Sequence, residues 1–301
     1  MAAISVSKSL KASDVNPVRA KKRVNTVLDI SILVPVMNEA GNIRPLIDEI
    51  CTAMAGRKFE IIYVDDASDD ATGEELLAIL SDVPQLRVLR HTKRAGQSAA
   101  IRSGLLRASG ALVGILDGDG QNVPTDFPAL EAAMTDASKD GVMVMAAGIR
   151  QRRNDSPMRL LASRGARWVR TSLLGDTHPD SGCGIKILPR DLFMQLPFFD
   201  HMHRFMPSLV RRHGGIVVGV PVAHRARIVG ASKYRIVDRL LVGIYDIIGV
   251  IWLLRRGPAQ GHVTEIMVQK TGRRRNAKKV GKNASKRSSE RVSKGLKDAA
   301  Q

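Results

Sequence analysis

The sequence predicts an α/β protein with a doubly wound, mostly parallel β-sheet. Two observations lead to this fold class. Short β-branched runs alternate with helical patterns between residues 28 and 148, and this alternation is typical of strand–helix–strand units in a parallel sheet. The runs are also almost continuously apolar, as in strands that are covered by helices on both faces.

Five strands are expected in this region, at residues 29–36, 60–65, 86–90, 111–116 and 142–147. Apolar residues spaced three and four apart predict helices between them, over 43–54, 73–80 and 97–107. Farther along, the patterns predict a short helix at 203–212 and a strand at 216–222. Ligands of such sheets bind beyond the carboxyl ends of the strands. Polar residues that follow strands are therefore the first candidates for a site.

The net charge of +18 lies mainly at the two ends of the 301-residue chain. Residues 1–27 carry +5 and residues 270–301 carry +10, so the 242 residues between them hold only +3. We expect residues 1–27 and 257–301 to be basic, disordered segments. The core is nearly neutral, and the chain has only 4% aromatic residues, so it lacks the stacking surfaces of single-strand binders and no nucleic-acid partner is expected.

The cysteine content and the first residues point to a cytosolic compartment. Cys51 and Cys183 cannot form a disulfide framework, and the sequence has no C-x-x-C zinc pattern. Residues 1–27 lack the apolar core of a signal peptide. We therefore expect a reducing environment.

Residues 240–254 form an apolar run with a single charge, Asp246, between Arg239 and the pair Arg255-Arg256. A helix of this length spans about 22 Å, less than the roughly 30 Å of a bilayer's hydrocarbon core. The run favours a helix in the membrane interface, with its basic collar facing anionic head groups. A buried core helix and a membrane span are the alternatives.

Two carboxylates one residue apart follow the fourth predicted strand, in Asp117-Gly118-Asp119-Gly-Gln121. Both can reach one divalent cation and the phosphates bound to it, and oxygen ligands with positions left for water suit Mg²⁺ or Mn²⁺. Asp and Gly are also common in polar turns. The motif alone therefore does not distinguish a metal site from a polar turn, and the other motifs in the chain are needed to decide between them.

Paired acids, Asp65 and Asp66, also end the second predicted strand. A carboxylate there can accept hydrogen bonds from a base or a ribose. The alternative is a helix cap, with Ser68 or Asp69 as the capping residue.

Cationic side chains that could bind phosphate occur later in the chain. Arg supplies the bidentate donors that diphosphates and lipid phosphates require. His203 and His224 are possible bases, although lone histidines are more often structural. The cationic candidates are Arg150, Arg164, Arg227 and Lys233.

In chain order these motifs resemble those of family 2 glycosyltransferases, in particular the dolichyl- and polyprenyl-phosphate sugar synthases. The resemblance extends over residues 28–256, and its last part, with His203 to Pro207 and residues 241–256, resembles a bacterial branch that decorates envelope polysaccharides and lipid A. Six motifs in order are far more specific than any one of them. They are Val34-Pro35-x-x-Asn38-Glu39, Val64-Asp65-Asp66-x-Ser68, Asp117-x-Asp119-x-Gln121, Ser163-Arg164-Gly165-Ala166, Asp180 to Lys186, and Arg227-x-x-Gly230-x-Ser232-Lys233.

The resemblance implies a GT-A type domain over residues 28–235 and an interfacial helix over 236–256. It implies that Arg164 contacts the acceptor phosphate and that Asp117, Asp119, Arg227 and Lys233 carry catalysis. Mg²⁺ or Mn²⁺ would be held by Asp117, Asp119 and Gln121. The residues implied to bind the nucleotide-sugar are Pro35, Met37, Glu39, Val64, Asp66, Asp117, Gly118, Asp119, Gln121, Arg150, Arg227 and Lys233.

The implied reaction is inverting transfer of a sugar from a UDP- or GDP-linked donor to undecaprenyl, dodecaprenyl or dolichyl phosphate. The product would be a lipid-linked donor for envelope glycan or lipopolysaccharide modification. The enzyme would work at the anionic cytoplasmic face of the inner membrane, as a peripheral or monotopic protein. The alternative is transfer to a sugar hydroxyl of a surface polysaccharide or glycolipid, which needs a general base. Such enzymes carry an additional acidic motif and Q-x-x-R-W, and this sequence has neither.

The sequence departs from the family pattern at three positions. Met37 stands where an aromatic residue is common, Ala67 where Gly is usual, and Gly118 where many relatives have Ala. The first departure weakens base stacking as the role of residue 37.

Overall fold

The computed structural model describes residues 28–138, 141–151, 171–226 and 236–256. These residues form an α/β domain around one seven-stranded sheet, which confirms the predicted fold class. The strands are β1 Leu28–Val36, β2 Phe59–Asp65, β3 Leu86–Arg90, β4 Gly110–Ile115, β5 Val144–Arg150, β6 Lys186–Pro189 and β7 Ile216–Val222. The α-helices are α1 Ile43–Ala53, α2 Thr72–Ile79, α3 Gln97–Leu105, α4 Phe127–Ala137, α5 Arg190–Gln195, α6 Met206–Arg212 and α7 Ile236–Arg255.

The strand order in the sheet is β3-β2-β1-β4-β6-β5-β7. All neighbouring pairs are parallel except those of β6, which runs antiparallel to β4 and β5. The sequence patterns did not predict β6, because a four-residue strand that begins with Lys186 and ends with Pro189 lacks the apolar, β-branched character of the others. The carboxyl ends of β1, β2 and β4 lie at one edge of the sheet.

Each central strand is buried on both faces. In β1, Ile32 and Val34 pack with residues of α1, α2 and α4, whereas Leu33 packs with residues of α3, α5, α6 and α7. Successive side chains of a strand point to opposite faces, so both faces of β1 must be apolar. This two-sided burial explains the continuous apolar runs in the sequence.

The predicted helix at 203–212 is divided in two. A 3-10 turn covers Met202–Arg204 and α6 covers Met206–Arg212. Pro207 lies in the first turn of α6, where its missing N–H has no partner to lose. The sequence patterns also missed α4, which likewise begins next to a proline, Pro128.

The last described helix, α7, begins at Ile236, four residues before the apolar run at 240–254, and is attached to the domain along one face. Val250 is buried, and a carboxylate oxygen of Asp246 lies 3.0 Å from Nδ1 of His201. At the carboxyl end of α7, Arg212 donates to the carbonyl oxygen of Leu253 at 3.0 Å. Among the helices described, none has both the length and the apolar character needed to cross a membrane.

Two non-glycine residues at the site edge have left-handed backbone conformations, Asn38 with φ of 56° and Ala67 with φ of 59°. Hydrogen bonds connect the turn that contains Asn38 with the turn that contains Ala67. The Asn38 amide donates to the Ser68 hydroxyl at 3.0 Å, and the Asp69 amide donates to the Asn38 side-chain oxygen at 3.0 Å. Ser68 and Asp69 thus join the loops after β1 and β2.

The start of α2 corrects one alternative from the sequence. The helix begins at Thr72, and the residue before it, Ala71, makes no side-chain capping bond. The Thr72 amide donates to the carboxylate of Asp70 at 3.0 Å. Capping by Ser68 or Asp69 is therefore wrong, because both residues lie too early in the chain to reach the first turn.

Replacing Ala67 with Gly is expected to raise the free energy of unfolding by about 1 kcal/mol. The left-handed conformation costs an L-residue about 1–2 kcal/mol, part of which is offset by the greater flexibility of Gly in the unfolded chain. Chemical denaturation measures the difference. Asn38→Gly is the matched control and should lower stability, because it removes the hydrogen bond with Asp69. An Ala67→Gly variant less stable than the wild type would contradict this assignment of strain.

Candidate active site

The loops after β1, β2 and β4 meet at one edge of the sheet. Val36 pairs with Asp65 across β1 and β2, and Leu33 pairs with Ile115 across β1 and β4. Beyond these pairs, the three strands continue into the loops that contain Met37, Asp66 and Asp117. These loops carry three of the six sequence motifs, and a fourth motif, Asp180 to Lys186, reaches the same site through Gly184.

Asp117 is held by contacts from two other parts of the chain. The side-chain amide of Gln97, the first residue of α3, donates to one carboxylate oxygen at 2.8 Å. Gly184 lies against the other oxygen, and a Cβ built on Gly184 would be 2.1 Å from it. Burial and the neighbouring charge of Asp119 raise the pKa of Asp117, although the cations Lys186 and Arg150 act in the opposite direction. The site therefore favours a compensating positive charge.

The residues present fit a divalent cation that is shared with a substrate diphosphate. No group of three or more His, Cys, Asp or Glu side chains that could hold a metal ion occurs in the described segments. Sites for Mg²⁺ at nucleotides use one or two carboxylates and complete their shell with phosphate oxygens and water. Asp117 and Asp119 supply two such carboxylates, and the absence of a Cβ at Gly184 leaves room for the first of them.

Gln121 belongs to the same loop as Asp119, and its backbone is hydrogen-bonded to the Asp119 side chain. Its backbone amide donates to an Asp119 carboxylate oxygen at 3.1 Å, which makes a tight turn through Gly120. Its side-chain amide donates to the carbonyl oxygen of Arg225 at 3.4 Å. A role for Gln121 as a metal ligand stays a prediction.

Arg150 is paired with a carboxylate rather than facing solvent alone. Its guanidinium makes two hydrogen bonds of 2.7 Å with Asp180, and the hydrogen bond with Asp180 raises the pKa of Arg150. Binding of donor phosphate by Arg150 stays a prediction. Arg164, Arg227 and Lys233 lie outside the described residues.

Lys186 is the first residue of β6 and the last residue of the motif that begins at Asp180. It is a buried cation at this site, and the sequence assigned it no role. Its ammonium donates to the carbonyl oxygen of Cys183. Burial lowers the pKa of Lys186, and the nearby Cys183, Asp117 and Asp180 oppose this effect. The signal in the sequence was a single charge between Ile185 and Ile187, which is unusual unless the charge is paired.

Asp66 fixes the beginning of α3. One carboxylate oxygen accepts hydrogen bonds from His91 at 2.7 Å and the Ala95 amide at 2.8 Å, and the other accepts from the Gly96 amide at 2.8 Å. Burial alone would raise the pKa of Asp66, but these donors outweigh it and the pKa is lowered. Asp66 thereby orients the segment that carries Gln97. A role for Asp66 toward a nucleotide stays a prediction.

The other predicted nucleotide-binding residues differ in exposure. Met37 and Glu39 are half-buried in the loop after β1, whereas Pro35 is buried within that strand. Val64 is completely buried in the layer that contains α3. All four roles stay predictions.

Gly118 packs against the carboxyl end of β1. A Cβ at this position would lie 2.3 Å from a methyl carbon of Val36. An alanine here, as in many relatives, would therefore require the Val36 side chain to move. This close approach gives a physical reason for the glycine.

His203 has the environment of a structural histidine. Its Nδ1 lies 2.8 Å from the hydroxyl oxygen of Ser98 on α3, and burial, with contributions from nearby cations, lowers its pKa to about 3. It is neutral at physiological pH and a weak base. His224 pairs through its backbone with Asn122, next to the Asp117–Gln121 loop.

The fold is that of the GT-A glycosyltransferases. Glucosyl-3-phosphoglycerate synthase from Mycobacterium tuberculosis, solved with Mn²⁺, UDP-glucose and phosphoglyceric acid, matches 80% of this chain and 84% of that chain, with a TM-score of 0.57 at 19% identity. The same enzyme solved with UDP matches 80% of this chain and 85% of that chain, with a TM-score of 0.55 at 22% identity. Glycosyl transferase family 2 matches residues 31–196, more than half of the sequence. The chain belongs to this family, and it is a glycosyltransferase.

Curated relatives extend the similarity beyond the family domain. The dodecaprenyl-phosphate galacturonate synthase of Rhizobium johnstonii is 32% identical over 264 residues, which cover 82% of this chain and 74% of the relative. The undecaprenyl-phosphate 4-deoxy-4-formamido-L-arabinose transferase of Pectobacterium carotovorum is 29% identical over 229 residues, 75% of this chain and 68% of the relative. These are transferases of the type that the motif order resembled.

Replacing Gly184 with Ala is expected to abolish most of the glycosyltransferase activity, since the new methyl group would displace the carboxylate of Asp117. Gly182→Ala is the matched control, because a Cβ at Gly182 meets only Arg150 at an ordinary 3.7 Å. Activity assays and circular dichroism on both variants make the comparison. Wild-type activity in Gly184→Ala would show that the contact with Asp117 does not matter.

Proposed function

We propose that this glycosyltransferase transfers a sugar from a UDP- or GDP-linked donor to a polyprenyl phosphate, with inversion. The observation that carries the proposal is the pair Asp117 and Asp119 after the carboxyl end of β4, with Asp117 held between Gln97 and Gly184. The product would be a lipid-linked sugar donor for envelope glycan or lipopolysaccharide modification. The names of the two curated relatives support this acceptor class.

The donor diphosphate is expected to bind beside Asp117 and Asp119. A Mg²⁺ or Mn²⁺ ion bound by these carboxylates would supply positive charge to the leaving diphosphate. Gln97 orients Asp117 through a hydrogen bond. Arg227 and Lys233 would add direct contacts to the phosphates, and Arg150 would do so if it exchanged its bond with Asp180.

The acceptor phosphate, for which Arg164 is the proposed contact, needs no general base because it is already an anion near neutral pH. The state of His203 agrees with this chemistry. It lies one hydrogen bond from Ser98, the residue after Gln97, and its pKa of about 3 makes it a poor acceptor of a substrate proton. Transfer to a sugar hydroxyl would require a stronger base.

We further propose that α7 attaches the enzyme to the cytoplasmic face of the inner membrane, where a polyprenyl acceptor is held. Tyr245, Ile248 and Trp252 are spaced three and four residues apart on one side of the helix, and each is more than half exposed. The guanidinium of Arg256 lies 5.2 Å from the centroid of the Trp252 ring. Aromatic and basic side chains on one helix face are typical of helices in a membrane interface.

Replacing Tyr245, Ile248 and Trp252 together with Ser is expected to reduce cosedimentation with vesicles of phosphatidylglycerol and phosphatidylethanolamine by about tenfold or more, because each apolar side chain contributes about 1.5–3 kcal/mol when buried. Leu77→Ser is the control, since Leu77 is 56% exposed on α2, across the sheet. Unchanged circular dichroism would verify the fold. Cosedimentation equal to that of the wild type would refute the role of α7.

The acceptor is tested by incubating the protein with polyprenyl phosphate, Mn²⁺ or Mg²⁺ and a panel of radiolabelled UDP- and GDP-sugars that includes a uronic acid and a 4-formamido-arabinose. Chloroform-extractable, mild-acid-labile label from one donor is expected. Label that reaches only a hydroxyl acceptor would support the alternative reaction instead. No transfer to polyprenyl phosphate from any donor would overturn the proposal.

In the same assay, Asp119→Asn is expected to lose most turnover while it keeps its fold. The substitution removes the charge that would bind the cation but preserves the size of the side chain. Asp136→Asn, an exposed substitution in α4, serves as the control and should transfer like the wild type. Near-normal turnover in Asp119→Asn would refute the metal assignment.

A further inference from the structure

Arg225, which follows β7, connects two other parts of the chain. Its Nε donates to the carbonyl oxygen of Gly120 at 2.5 Å, and its Nη2 donates to the carboxylate of Glu49 on α1 at 2.8 Å. The guanidinium therefore spans from the first helix to the Asp117–Gln121 loop. None of the six sequence motifs includes Arg225.

The bond to Gly120 acts on Asp119 through one peptide unit. The carbonyl of the Gly120–Gln121 peptide accepts the hydrogen bond from Arg225, and the N–H of the same peptide donates to Asp119 at 3.1 Å. A peptide unit is planar, so fixing the direction of its carbonyl also fixes the direction of its N–H. Arg225 thereby sets the orientation of the Asp119 carboxylate.

The backbone of this segment is paired independently of the Arg225 side chain. The Arg225 amide donates to the carbonyl oxygen of Gln121 at 3.0 Å, and His224 pairs with Asn122. These contacts do not depend on the guanidinium. A substitution of Arg225 should therefore leave the segment in place and change chiefly the Gly120–Gln121 peptide.

We propose that Arg225 is a positioning residue for the cation–diphosphate site, and that Glu49 in turn orients Arg225. This inference rests on the proposed function of Asp119. The ion pair is 34% exposed on each side, so its own contribution to stability is small. Loss of a residue that orients a metal ligand typically costs 10–100-fold in metal affinity or activity.

The test measures how binding of UDP and of GDP depends on Mn²⁺, by calorimetry, together with kcat and KM for the donor. Arg225→Gln is expected to raise the Mn²⁺ concentration for half-maximal nucleotide binding by about 10-fold or more, with little change in the thermal midpoint. Arg225→Lys retains one donor and should lie between Arg225→Gln and the wild type. Glu49→Gln should shift the requirement in the same direction, but less.

Arg57→Gln is the matched control, because Arg57 forms a comparable, somewhat less exposed ion pair with Glu131, in which one of the two contacts is 2.8 Å. It should leave the Mn²⁺ requirement unchanged. A wild-type Mn²⁺ requirement in Arg225→Gln, or an equal shift in Arg57→Gln, overturns the inference alone. If the unmodified protein binds both nucleotides equally well in EDTA, the metal role of Asp119 fails, and the inference fails with it.

Discussion

Two carboxylates one residue apart at the end of a buried strand repel each other, and the surrounding structure keeps them in place. Burial strengthens the repulsion, because the interior screens charge less than water does. Removal from water disfavours the charged form of Asp117, and the charge of Asp119 adds to this effect, so the pKa of Asp117 is raised. The neighbouring cations Lys186 and Arg150 are themselves engaged with the Cys183 carbonyl and with Asp180. Part of the repulsion therefore remains, and a cation brought by the substrate would relieve it.

The support for this pair comes from segments that are distant in the sequence. Asp66 holds the amides before α3 and so places Gln97 against Asp117. Gly184, beside the antiparallel strand β6, closes the other side of Asp117. Arg225 fixes the turn after Asp119 from the end of β7. The carboxyl edge of the sheet is where these segments can meet, because the connections of a doubly wound sheet converge there.

The sequence was sufficient for the sheet, the positions of most of its strands and the loops that carry the motifs. These follow from apolar runs and from the rule that parallel strands end at a common edge. The sequence was insufficient to predict β6, because this strand forms through its pairing with β4 and β5 rather than through its own composition. The spacing of residues along the chain also could not reveal that Arg150 pairs with Asp180. Nor could it reveal that Gly184 contacts Asp117 and that Arg225 acts on Asp119. Such contacts join residues 30 to more than 100 positions apart, and only the folded chain brings them together.

Asp117 and Asp119 are proposed to hold a divalent cation together with the diphosphate of a nucleotide-sugar. The most direct measurement is anomalous diffraction from crystals grown with Mn²⁺ and a nucleoside diphosphate. A shared cation would give one manganese peak within about 2.2 Å of an Asp119 or Asp117 oxygen and of the nucleotide's phosphate oxygens. A nucleotide bound at this edge of the sheet without manganese, or manganese bound away from both aspartates, would contradict it.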